Sequence, residues 1–118
     1  MNSIGQSIQR IDAIGKVTGE TPYPGDIDMP GQLWMKILFA GRPHARIVRI
    51  DTAKAEQHPG VAAVFTAKDV PNNEYGLILF DQPVLCGPGS DKSGADVVRF
   101  VGDQVALVVA ETEKVAAE

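Results

Sequence analysis

The sequence has 118 residues, 44% of them hydrophobic, and a formal net charge of −4 from 11 basic and 15 acidic side chains. This length fits one small domain, and the scattered charges form no basic stripe of the kind that nucleic-acid binding requires. The single cysteine excludes an internal disulfide and favours a reducing compartment. The N-terminus lacks the apolar block of a secretory signal, and the apolar runs are too short for a membrane helix. We expect a soluble cytoplasmic protein without nucleic-acid or membrane partners.

The first half of the chain is predicted to pass from an irregular arm into two strands. Glycine and proline punctuate residues 1–31, which predicts an extended arm rather than a helix. Apolar side chains alternate over residues 33–39, as in a strand with one well-buried face. A break at residues 41–43 precedes the β-branched stretch 46–50, which predicts a second strand. We expect these two strands to form a hairpin.

The middle of the chain is predicted to contain a short helix and a buried strand. Asp51 or Thr52 is a suitable N-cap for a helix that ends at Gln57. Residues 61–65 form a short apolar run that is typical of a buried strand.

A capped turn and a long irregular segment follow. Thr66 and Asp69 have the spacing of a capping box, and Pro71 limits the turn to one revolution. Residues 72–96 are polar and rich in glycine apart from one apolar run at 77–80. This composition predicts a mobile surface loop.

The last part of the chain predicts two more strands and a helix. Residues 97–101 and 105–110 have strand composition, and Gly102-Asp103 between them predicts a tight turn in a hairpin. Thr112 can cap a helix that begins at Glu113. That helix would reach only about two turns, so we expect the chain to be a fragment of a longer protein.

The order of the elements predicts the fold class. Five or six short strands and two or three short helices alternate unevenly, which argues against a doubly wound parallel sheet. We predict a compact α+β domain over residues 1–118, with residues 1–31 as its extended arm.

Side chains that could bind a metal or cofactor are few and far apart. His44, His58 and Cys86 are not near one another in sequence, whereas zinc ligands usually come in close pairs. An iron–sulfur cluster needs about four thiolates, which one cysteine cannot supply. Gly87-Pro88-Gly89 lacks the spacing of phosphate-binding motifs. We predict no metal-binding and no cofactor-binding residue in this chain.

The residues also predict no catalytic group. Cys86 has no adjacent cation or helix N-terminus, so we interpret it as an ordinary, partly buried thiol. Six aspartates are expected to close turns or cap helices. They are Asp26, Asp28, Asp51, Asp69, Asp81 and Asp103. The basic segment Arg42-Pro43-His44-Ala45-Arg46 is expected to face water or pair with an acidic neighbour. An anion or subunit contact is the alternative for this segment.

Several short sequence islands carry a family resemblance. The chain contains Lys16-Val17-Thr18-Gly19 with Tyr23 and Asp26, then His44-Ala45-Arg46-Ile47, and finally Val101-Gly102, Val105-Ala106 and Val108-Val109-Ala110-Glu111-Thr112. In this order and spacing they resemble the N-terminal domain of the large, molybdenum-carrying subunit of the xanthine dehydrogenase and aldehyde oxidase family. One departure is Phe39-Ala40-Gly41-Arg42-Pro43, where family members often have a Ser-Pro pair.

The resemblance implies an α/β-hammerhead fold within an enzyme that hydroxylates aldehydes, purines, other N-heterocycles or related carbon centres with oxygen from water. It implies a molybdenum–pterin cofactor, [2Fe–2S] clusters and usually FAD. The remaining domains of the large subunit, and the iron–sulfur and flavin subunits or domains, are the implied partners. The family's pterin loops and glutamate base belong to later domains. No residue of this chain therefore receives a catalytic role.

The sequence is compatible with two functions. A scaffold domain of a molybdenum hydroxylase would be inactive alone, and its bare apolar surface predicts self-association in isolation. The alternative is a free-standing interaction or carrier module related to barrel-sandwich folds. A carrier should present a lysine at a hairpin tip, whereas Met35-Lys36 lies inside a predicted strand.

Overall fold

The last strand of the chain organises the main sheet. The computed structural model describes residues 4–118, and the chain divides into two compact units, Met1–Pro30 and Gly31–Glu118. The strands of the described residues lie in the second unit, and they are β1 (Trp34–Phe39), β2 (Ala45–Arg46), β3 (Val61–Thr66), β4 (Val97–Val98) and β5 (Gln104–Ala110). Strand β5 lies between β1 and β3 and is antiparallel to both, while β2 pairs with β4 in a separate two-stranded sheet.

Three α-helices complete the described residues. They are α1 (Ala13–Thr18), α2 (Ala53–Glu56) and α3 (Glu113–Ala117). Single turns of 3-10 helix cover Pro24–Asp26 and Ala67–Asp69. The predicted α+β fold class is confirmed by these five strands and three helices of residues 4–118.

The first unit contains a helix where the sequence predicted an extended arm. The Asp12 carboxylate accepts a hydrogen bond of 2.5 Å from Lys16 Nζ one turn later. This bond, followed by a second from Arg10, lowers the pKa of Asp12. Gly19 ends the helix with a φ of 79°, a conformation that glycine adopts without a steric penalty. These local helix signals outweigh the turn-forming composition of the arm, so the prediction of no helix was wrong for α1.

Strand β5 takes the central position because it is apolar on both faces. Val105, Ala106 and Ala110 are buried, and strands covered on both faces consist of nearly continuous apolar residues. The predicted strand over 105–110 is confirmed, with Gln104 added at its start.

The two predicted hairpins are both wrong. Strand β1 pairs with β5 and not with the segment after it, and β2 pairs with β4 over two residues. Asp103 explains why β4 does not fold back onto β5. Its Oδ2 accepts hydrogen bonds from the backbone N–H groups of Arg99 (2.6 Å) and Phe100 (3.1 Å). Those donors close a turn and are no longer available to a hairpin ladder.

The prediction of one well-buried face on β1 was also wrong. Met35 is 56% exposed, and Trp34, Leu38 and Phe39 are exposed as well. Strand β1 is an edge strand of the sheet. Only its inner neighbour β5 therefore covers it along the hydrogen-bonding direction.

Helices α2 and α3 lie on one side of the main sheet. Residues directly opposite in an antiparallel ladder point to the same side, so Lys36 shares a side with its partner Val108. Lys36 Nζ lies 2.6 Å from Glu113 Oε1 of α3. Lys54 of α2 borders the same groove as Lys36 and Val108. This places both helices on the side of Lys36.

The predicted caps are largely confirmed. The Asp69 carboxylate accepts from the Thr66 N–H at 2.8 Å and from its hydroxyl at 3.0 Å, forming the expected capping box. The Val115 N–H donates to Thr112 Oγ1 at 3.2 Å, which caps α3. Thr52 is the N-cap position of α2 without a side-chain bond. Asp51 supplies the bond instead, accepting from the Ala53 N–H at 3.3 Å.

Residues 72–96 are irregular as predicted, but part of the segment is buried. Asn73 is 1% exposed, and Leu85, Cys86 and Ala95 are buried. Asn73 Nδ2 donates to the Leu85 carbonyl and the Leu85 N–H donates to Asn73 Oδ1, both at 2.9 Å. The side chain thus replaces a strand partner for Leu85. The expectation of a mobile surface loop was wrong for these residues, because a buried amide anchors the segment in place.

Replacing Asn73 with alanine is expected to destabilise the protein by about 1–3 kcal/mol, since it leaves the buried Leu85 backbone without partners. Ser90 Oγ, which accepts from Asn73 Nδ2 at 2.8 Å, would lose a partner too. Urea unfolding followed by circular dichroism measures the change. Asn72→Ala, at the exposed neighbouring position, is the control and should stay within about 0.5 kcal/mol of the parent. Equal effects of the two variants would contradict the anchoring role.

Replacing Asp69 with alanine is expected to cost about 1 kcal/mol at pH 7 through loss of the cap. The backbone N–H of Thr66 lowers the pKa of Asp69 below its usual value. The ionised carboxylate therefore stabilises the fold fully when the pH is above the usual pKa of an aspartate. This stabilisation is lost as the pH falls through the lowered pKa of Asp69. Unfolding free energies at pH 7 and near pH 2 should differ less in the variant than in the parent. Asp28→Ala, in the first unit, is the control. It should leave the difference in unfolding free energy between the two pH values as it is in the parent.

Candidate functional site

Cys86 lies in the main buried cluster and is a poor nucleophile. It is 2% exposed and packs with Val98 and Val105. Burial, together with the nearby Asp103 carboxylate, raises the pKa of the Cys86 thiol to about 11. A reactive cysteine needs the opposite, a lowered pKa and access to solvent. The interpretation of Cys86 as a buried thiol is confirmed, with burial deeper than expected.

The aspartates singled out in the sequence serve turns and caps wherever the structure gives them partners. Asp26 accepts from the Tyr23 N–H at 2.9 Å. Asp51, Asp69 and Asp103 accept the backbone bonds described above. These four interpretations are confirmed.

The basic segment around His44 is exposed, and one of its arginines has an acidic partner. Arg46 of β2 forms an ion pair with Asp96, just before the β4 strand to which β2 pairs. The Ile47 N–H also donates to the Asp96 carbonyl at 2.8 Å. For Arg46, the expected pairing with an acidic neighbour is confirmed.

The described residues do not fit a metal or pterin cofactor. His44 and Cys86 are not brought together with His58, and no group of three His, Cys, Asp or Glu side chains within residues 4–118 is placed to hold a metal ion. Every buried side-chain nitrogen and oxygen of those residues has a hydrogen-bond partner within the chain. No orphaned buried donor or acceptor is left to receive a cofactor, and we derive no catalytic step from this chain.

A groove that the sequence did not reveal lies between α2, α3 and the sheet. Its volume is about 600 Å³, and the apolar side chains Leu38, Val61, Val108 and Val115 contribute to its lining. At its border, Lys36 pairs with Glu113 and Asp51 pairs with Arg49, and His58 Nε2 lies 3.3 Å from Glu118 Oε2. Its lining comes from segments far apart in sequence, so no local motif could have indicated it.

None of the helices in residues 4–118 combines the length and the apolar character that crossing a membrane would require.

The buried, weakly acidic thiol predicts slow alkylation of Cys86. With a pKa of about 11 in place of 9.0, the thiolate fraction at pH 8 falls about a hundredfold. Iodoacetamide labelling at pH 8, followed by intact-mass spectrometry, should be at least that much slower in buffer than in 8 M urea. Comparable rates in the two solutions would show that Cys86 is accessible and would contradict its place in the core.

Comparison with known proteins points to one family. Residues 18–118 match the sequence family described as the aldehyde oxidase and xanthine dehydrogenase, a/b hammerhead domain. The chain is 50% identical over 108 residues to a probable xanthine dehydrogenase subunit from Bacillus subtilis. That match covers 91% of this chain and 13% of the relative.

Solved structures agree with this match. The chain superimposes on reconstituted CO dehydrogenase from Oligotropha carboxidovorans with a TM-score of 0.80 and 34% identity, covering 96% of this chain and 14% of that one. For aldehyde oxidoreductase from Desulfovibrio gigas, the TM-score is 0.76 at 37% identity, with 92% and 12% covered. The chain thus spans about an eighth of the length of these proteins. The match over residues 18–118, with the same fold in the two solved enzymes, shows that the chain belongs to the a/b hammerhead domain family of aldehyde oxidase and xanthine dehydrogenase.

Proposed function

We propose that this chain is the scaffold domain of a molybdenum hydroxylase large subunit and has no activity by itself. The family match over residues 18–118, in a chain that covers 12–14% of the three relatives described above, carries this proposal. The domain would have a structural role in the subunit, while the chemistry takes place in other domains. A cytoplasmic location belongs to the same proposal, because the single cysteine suggests a reducing compartment.

The whole protein would oxidise a substrate carbon with oxygen from water. A C–H bond and one water molecule become a C–OH group, and two protons and two electrons are released. A molybdenum–pterin cofactor would supply this chemistry, and [2Fe–2S] clusters and usually FAD would carry the electrons to an external acceptor. All of these groups would be bound by the rest of the large subunit and by iron–sulfur and flavin subunits or domains.

A carrier module finds no support in the structure. Lys36 lies inside β1 rather than at a hairpin tip, and its ammonium group pairs with Glu113. A lysine held in an ion pair within a strand is poorly placed to carry a covalently attached group between active sites.

The proposed function predicts where molybdenum is found. The full-length protein, purified from its native host, should contain molybdenum by plasma mass spectrometry and oxidise an aldehyde or N-heterocycle in the presence of a redox dye. The 118-residue chain expressed alone should contain none and show no turnover. Molybdenum bound by the 118-residue chain would contradict a scaffold role, and a full-length protein without molybdenum would contradict the hydroxylase assignment.

A further inference from the structure

We draw no further inference here: the strongest candidate, the apolar groove between α2, α3 and the main sheet, carries none because nothing in the structure shows what covers it.

Discussion

The backbone pairing of β5 on both of its edges is the constraint on which the second unit depends. Strands β1 and β3 reach the sheet only through β5, and neighbouring segments are fastened to its ends. The Cys86 N–H donates to the Gln104 carbonyl at 2.6 Å at one end, and the Glu111 N–H donates to the Gly60 carbonyl at 2.9 Å just past the other. Helix α3 begins three residues after the strand. The positions of the core, the helix layer and the other strands of the sheet therefore all depend on this one strand.

Local chemistry could be predicted from the sequence, and pairing over long distances could not. The Thr66–Asp69 box, the Thr112 cap and the existence of β1, β3 and β5 follow from a few neighbouring residues. Strand pairing depends on which segments meet in space. Sequence proximity suggested two hairpins that do not form, because Asp103 engages the donors that one of them would need.

Burial was the other quantity that the sequence could not supply. The composition of residues 72–96 predicted a surface loop. Part of this segment is buried instead, because the Asn73 amide forms two hydrogen bonds with the Leu85 backbone. Alternation made β1 look half-buried, yet it lies at a sheet edge with exposed apolar side chains. Both errors arise because a polar residue can be buried once its bonds are satisfied, and an apolar one stays exposed when no layer covers it. The groove between α2, α3 and the sheet could not be predicted for a related reason, since only the folded chain brings its lining together.

The pairing of β1 with β5 has a consequence for how the protein is made. Trp34 pairs with Ala110 and Phe39 with Gln104, so the two strands of this ladder come from opposite ends of the second unit. A ribosome delivers the apolar run Trp34–Phe39 long before its partner exists. Such non-local pairing is slow to form, and an unpaired apolar strand is prone to aggregate. Translation through Ala110 is thus the earliest point at which the sheet can close, and until then strand β1 has no partner in the chain.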